Sequence, residues 1–365
     1  MLSCALCLSL LLFVAACGGE PEPEPVPEPE PEPAEQTTGG APTGAGEDAA
    51  TGPQDGAATE VEPDEATTPE ADEPLTELTL GALKIAATVP LHLAVREGFF
   101  QEEGLDVQLE EFGGGSEILP VLSAGGIDAA FSNHVTTIFG VSQGVDFVCV
   151  SGSDNAPEEE PDTANILVQP GSDIAGVDDL PGRTVAVNSV QSILTVFLQA
   201  LLAQSDIDVS TVDFVEVPFP NMGDALGSGQ VDAIVSIEPF NAVLQSQGLA
   251  EVVSPLYIPV LPGVELGCYG FPSEFIQDQP EVVAGFVRAH ERGKELASSD
   301  RELTAEAINE WTGLEADLVD TIVWSTWAPG ASQESMQQIA DMMLEFELIE
   351  EPFEASRAVD DSFQP

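Results

Sequence analysis

From Leu78 onward the chain alternates short apolar, β-prone runs with stretches whose apolar residues recur at helical spacing, and this alternation restricts the fold more than any other feature. Strands are expected at Leu80–Ala87, Val107–Phe112, Ile127–Ser132 and Phe147–Gly152, with helices at Leu91–Glu102, Ser116–Ala124 and Thr136–Gly140 between them. Leu91, Val95 and Phe99 share one helical face, and Gly104 stands where a helix end favours glycine. After a polar insert, Asp154–Asp162, the series resumes with strands at Asn165–Gln169, Thr184–Val187, Val212–Val217, Val231–Ile237 and Glu251–Val253. Helices at Ile193–Ala203, Met222–Ser228 and Phe240–Gln247 separate those strands, and helical patterns at Pro280–Ser298, Arg301–Trp311, Glu315–Trp324 and Glu334–Leu348 close the chain. This order specifies an α/β fold, two lobes of mostly parallel sheet covered by helices, with a ligand cleft beyond the carboxyl ends of the strands.

The segment ahead of this region has no such pattern. Leu2 to Ala16 is an apolar run too short to span a bilayer as a mature helix, and Val14-Ala15-Ala16-Cys17 follows the lipobox pattern. Residues 1–17 therefore read as a lipoprotein signal peptide, with Cys17 the acylated residue. No Lys or Arg precedes the run, and a start upstream of Met1 would account for that departure. Residues 18–76 are acidic and low in complexity, opening on alternating Pro-Glu from Pro21 to Pro33. Proline favours extended chain and like charges repel, so this stretch reads as a disordered tether that joins a lipid to a folded domain.

Charge excludes several functions. The 65 acidic residues outnumber the 8 Lys and Arg, for a net charge of -57. Nucleic acid and anionic membrane surfaces both require clustered cations, so neither is an expected partner. With 17 acids in the tether, the remainder still carries 48 acids against 8 bases, which fits a salt-adapted host or an acidic exported proteome. Cys149 and Cys268 each sit in an apolar run, and two buried free thiols are expected in preference to a disulfide. The cysteines and histidines lack zinc-ligand spacing, and no dinucleotide, phosphate-loop or nucleophile-elbow motif occurs, so neither metal nor cofactor is expected.

Four segments stand out: Pro90-Leu91-His92-Leu93-Ala94-Val95-Arg96-Glu97-Gly98-Phe99-Phe100, Ser123-Ala124-Gly125-Gly126-Ile127-Asp128-Ala129, Leu180-Pro181-Gly182-Arg183-Thr184-Val185 and Gly229-Gln230-Val231-Asp232-Ala233 with Glu238-Pro239. In this order and spacing they resemble the nitrate/sulfonate/taurine group of solute-binding proteins, which includes the binders related to the thiamine-pyrimidine synthases. The likeness runs through 78–365. It implies a type-II periplasmic-binding-protein fold, with lobe 1 at 77–168 and 265–365, lobe 2 at 169–264, and crossovers near Gln169–Gly171 and Val264–Gly267. It also implies a monomer that closes on a small-molecule solute and passes it to ABC permease subunits, and the lipid on Cys17 would hold it at the extracytoplasmic face of the cell membrane. The rival readings are an enzyme on the same fold and a sensory lobe, although the synthases' cysteine-rich signature is missing here.

Candidate ligand residues cluster where strands end and helices begin, because a helix start offers unpaired N–H groups. They are Thr88 and His92 after the first strand, Gly114 and Gly115 in the glycine turn, and Ser132 and Asn133 after the third strand. In lobe 2 they are Asn188, Ser189, Gln191 and Ser192, with Glu238 at a later strand end, where it would pair with a ligand amine or ring nitrogen or simply fix the turn. Tyr269, Trp324 and Trp327 read as core residues. These site segments contain no Arg or Lys, which favours a neutral or partly cationic solute, such as a pyrimidine precursor, over a sulfonate.

Overall fold

The computed structural model describes residues 74–327 and 329–364, so the signal peptide, Cys17 and nearly all of the tether lie outside the described residues. In lobe 1 the chain runs through β1 (Thr76–Ala82), α1 (Val89–Arg96), α2 (Phe99–Glu102), β2 (Leu105–Glu111), α3 (Gly115–Ser123), β3 (Ala129–Asn133), α4 (His134–Ser142), β4 (Val148–Gly152) and the short β5 (Asp154–Asn155). Lobe 2 contains β6 (Ala164–Val168), β7 (Thr184–Val187), α5 (Ile193–Gln204), β8 (Asp213–Glu216), α6 (Phe219–Gly227), β9 (Ala233–Ile237), α7 (Phe240–Ser246) and β10 (Glu251–Pro255). The chain then returns to lobe 1 through β11 (Gly267–Phe271), α8 (Ser273–Asp278), α9 (Pro280–Ser299), α10 (Arg301–Thr312), β12 (Thr326–Trp327) and α11 (Gln333–Glu345).

Each lobe is built on one five-stranded mixed sheet, in the order β2-β1-β3-β11-β4 in the first and β10-β6-β9-β7-β8 in the second. The inner strands are largely apolar and buried, as strands covered on both faces must be; β6 and β11 are buried at every position. In lobe 1 β11 inserts antiparallel between β3 and β4, and in lobe 2 β6 does the same between β9 and β10. The long α9 lays Val283, Phe286, Val287, His290, Lys294 and Ala297 along one buried face. A side chain at Gly293 of this helix would strike the Pro90 carbonyl, so glycine is what lets α9 approach α1 so closely.

Two segments connect the lobes. The first runs from β5 to β6 and the second from β10 to β11, and backbone hydrogen bonds Ala156–Val264 and Leu266–Asp154 zip them together. Asp162 ties the far end of the pair. Its Oδ2 accepts from the N–H groups of Leu256, Tyr257 and Ile258, at 2.7–3.1 Å. The first crossing therefore precedes β6, earlier than the expected Gln169–Gly171, and the strand at 164–168 belongs to the second sheet. The second crossing leads into β11, which begins at Gly267.

Four local expectations need correction. Cys149 and Cys268, on the neighbouring strands β4 and β11, form a disulfide instead of two free thiols, because the antiparallel register brings their Cα atoms to 5.6 Å. The expected strand Leu80–Ala87 begins at Thr76 and stops at Ala82, where the chain turns through a short 3-10 segment, Ala86–Thr88. The helix expected over Leu91–Glu102 breaks at Gly98, which adopts φ +76°. No α-helix forms over Glu315–Trp324, which holds only a 3-10 turn at Val319–Thr321. Downstream of that turn the chain runs beside the crossovers, with the Val323 N–H donated to Glu238 and the Ser325 hydroxyl to Asp154. Among the described residues, no helix is long and apolar enough to cross a membrane.

Candidate functional site

Between the lobes lies a cleft with a cavity of about 60 Å³. The loop after β1 supplies Leu83, Ile85 and Ala87 from lobe 1, joined by Phe131 and Asn133 of β3. Lobe 2 contributes Asn188 and Ser192 ahead of α5, Ile193 and Leu194 of its first turn, and Phe219 and Glu238. The crossing segments complete the floor with Asp154, Thr163, Tyr257 and Leu266, and Ser325 lies beside them. The lobes also touch directly, through Thr136 Oγ1 donating to the Gln191 carbonyl at 3.0 Å and Ala86 N–H to the Glu238 carbonyl at 3.4 Å. Apolar walls with a few convergent polar groups are the usual make-up of a small-molecule site.

The polar groups are unusual in kind. Asp154 and Glu238 are only 6% and 4% exposed. Asp154 accepts from the Ser325 hydroxyl at 3.3 Å and the Ser153 hydroxyl at 3.4 Å. Glu238 accepts from the Ala242 N–H at 3.2 Å and the Val323 N–H at 3.3 Å. Burial pushes both carboxyls up, each to about 7, because the few hydrogen bonds do not replace the lost hydration; the charge of nearby Glu265 adds to the shift at Asp154. Thr163, also buried, has a hydroxyl with no hydrogen-bond partner. None of the 8 Lys and Arg lines the cleft. Outside the cleft, Arg288 and Arg292 pair with Glu103 and Glu102, Arg96 with Glu97 and Glu310, Lys84 with Glu111, Lys294 with Glu291, and Arg301 with Asp320.

The expected site residues divide into two sets. Asn133, Asn188, Ser192 and Glu238 converge on the cleft. Gly114 stands just beside them, and a Cβ there would lie 3.5 Å from Asn188 Nδ2 across the lobe boundary. The others are committed elsewhere. Thr88 donates to the Leu83 carbonyl at 2.6 Å and accepts from the Trp311 indole at 2.9 Å, so its hydroxyl shapes the loop instead of facing a ligand. His92 stacks on Trp311 at 5.2 Å and lies 3.5 Å from Glu310, outside the cleft lining; burial lowers its pKa. Gly115 packs against Thr136, Ser132 accepts from Thr137 within lobe 1, and Ser189 accepts from the Gln191 N–H. Gln191 meets lobe 1 through its carbonyl, and its side chain points outward.

Asp154, Thr163, Phe219, Tyr257 and Ser325 escaped the sequence reading. Asp154 opens the polar insert and Thr163 follows it directly, while Ser325 lies one residue beyond the expected helix Glu315–Trp324. Tyr269 is a core residue, as expected, packed on Phe131 and His290. The Trp327 indole donates to the Ala87 carbonyl at 2.9 Å, and Trp324 lies under the Arg301 guanidinium at 3.9 Å.

Comparison with known proteins agrees with this arrangement. The sequence profile of the family described as NMT1/THI5 like matches residues 86–302. A Bacillus subtilis (strain 168) protein named provisionally as a binding protein, YtlA, is 21% identical over 262 residues, covering 68% of this chain and 76% of its own length. The alkanesulfonate-binding protein SsuA of Xanthomonas axonopodis pv. citri, solved with bound MOPS, superposes with a TM-score of 0.68 at 22% identity, over 80% of this chain and 99% of that one. The ligand-binding component of an ABC-type import system from Staphylococcus aureus, solved with zinc bound, gives a TM-score of 0.69 at 16% identity, over 79% and 97%. The fold is that of the type-II periplasmic binding proteins.

Proposed function

The chain belongs to the NMT1/THI5-like family, and from that premise we propose that it is the solute-binding component of an ABC-type importer. In this reading it captures a small organic solute between its lobes and delivers it to permease subunits. The observation that carries the proposal is the cleft itself, which takes residues from both lobes and from the crossings between them. Only a closed molecule presents Asn133, Asn188 and Glu238 to one ligand, so binding shifts the population toward closure. The three histidines of the sequence and the disulfide cysteines all lie outside the lining, which supports capture over turnover. A lipid on Cys17 and the acidic stretch after it would keep this trap within reach of the permease at the extracytoplasmic face.

The test is a thermal-shift screen of nitrate, sulfonates, pyrimidines, flavins and organic amines, followed by mass spectrometry of whatever the hit protein releases on denaturation. A ligand that binds only the native state raises the midpoint, and the shift grows with the logarithm of its concentration above Kd. Capture predicts one class that shifts the midpoint and is recovered unchanged. Recovery of a converted product at more than one equivalent per chain would refute capture in favour of an enzyme.

A further inference from the structure

We propose that the captured solute is an organic cation, whose positive charge is met by the carboxyls of Asp154 and Glu238 that line the cleft while its carbon body lies against the apolar walls. This rests on the reading of the cleft as the solute site, and it adds the chemical class. Three independent observations converge. Two carboxyls more than nine-tenths buried face one cleft, and among the described residues no Lys or Arg lines it with them. Thr163, 5% exposed, lines the same cleft, and its buried hydroxyl has no hydrogen-bond partner. The remaining surface is apolar and aromatic, with Leu83, Ile85, Phe219 and Tyr257 positioned to cover a carbon skeleton.

Magnitudes decide between ligand charges. A like charge placed at about 4 Å from a carboxylate weakens binding by about a thousandfold at an effective dielectric of about 20, and an opposite charge strengthens it by as much. An anion such as a sulfonate or nitrate would have to bind with both acids protonated, without help from any cation. A cation restores to both carboxylates the charge partner that burial removed. A bare metal ion fits less well. Among the described residues, the one group of three potential ligands close enough to hold a metal is His134 with Cys149 and Cys268, and it contains neither acid.

The sign of the pH dependence separates the cases. The ionisable groups facing Asp154 are Glu265, Tyr257 and Tyr269, and burial keeps both tyrosines neutral; Glu238 is faced by the backbone of Val323 and Ala242. A cation whose charge does not titrate then binds more tightly as pH rises through 7, and an anion binds less tightly.

Calorimetry on the folded chain with benzamidine and benzylamine, against benzyl alcohol and benzenesulfonate, tests the proposal. The expected result is at least tenfold tighter binding of the cations at pH 8, weakening toward pH 5.5, with a loss of tenfold or more in both Glu238→Gln and Asp154→Asn. Circular dichroism of the variants confirms that they fold. Benzenesulfonate or nitrate binding more tightly than the amines overturns the cation assignment and leaves solute capture standing. Binding of Zn²⁺ that both substitutions abolish overturns it in favour of a metal. Amines that bind no better than benzyl alcohol, or give no heat at millimolar concentration, also overturn it, and capture itself falls only if the wider screen is flat.

Discussion

Replacing Glu238 by Gln should make the empty protein more stable at pH 8 and leave it nearly unchanged at pH 5. The Glu238 carboxyl is held at about 7, against an ordinary value of 4.5. Between those two values the folded state binds a proton that the unfolded chain has already released. Stability therefore falls as pH rises from about 4.5 to about 7, and the loss is complete above that. A shift from 4.5 to about 7 corresponds to roughly 3 kcal/mol at pH 8, at about 1.4 kcal/mol per pH unit. Glutamine never ionises, so the substitution removes this penalty. It also gives up one of the two backbone hydrogen bonds, because only the amide oxygen accepts, at a cost of about 1 kcal/mol. The net gain is about 2 kcal/mol at pH 8, or roughly 3 °C in melting temperature for a folded region of this size. At pH 5 the lost hydrogen bond dominates and the variant should melt slightly below the parent. Scanning calorimetry of both proteins across pH 5–8 reads this as a difference, which cancels the repulsion among the many surface acids. A Glu238→Gln protein that melts below the parent at pH 8 by as much as at pH 5 would refute the claim that an uncompensated buried carboxyl sits in the cleft.

Other expectations follow from single features. Asp162→Ala removes a carboxylate that serves three backbone N–H groups of the second crossing, and should cost about 2–4 kcal/mol in urea denaturation, with Asp162→Asn recovering part of it. Cys149→Ser in lobe 1 opens a loop whose ends are 119 residues apart, and should lower stability by about 2–5 kcal/mol; an unchanged denaturation midpoint would mean the thiols are not bonded in solution. Cys17→Ser should move the exported protein from the membrane to the soluble fraction, and unaltered membrane retention would refute the lipid anchor.

The sequence carried the alternation of strands and helices well, because apolar runs such as Thr184–Val187 are buried at most positions and bounded by turn residues. It carried less where tertiary contacts override local pattern. The segment at 315–324 has helical spacing, yet Val323 and its neighbours are drawn into extended chain by carboxylates from elsewhere in the fold. The cysteines are 119 residues apart, and only the placement of β11 beside β4 reveals that they meet. The site was legible at strand ends, where Asn133, Asn188, Ser192 and Glu238 stand next to helix starts. Asp154 was not, for a physical reason: in a chain with 65 acidic residues, one more Asp at the edge of a polar insert looks like a solvated charge. What distinguishes it is burial, and burial comes from the second crossing, more than a hundred residues later, folding back over it. The same crossing therefore makes the hinge and seals an acid into the cleft. If the cation assignment holds, lobe closure and charge recognition share these residues, and substitutions at Asp154 should alter the closure equilibrium together with affinity.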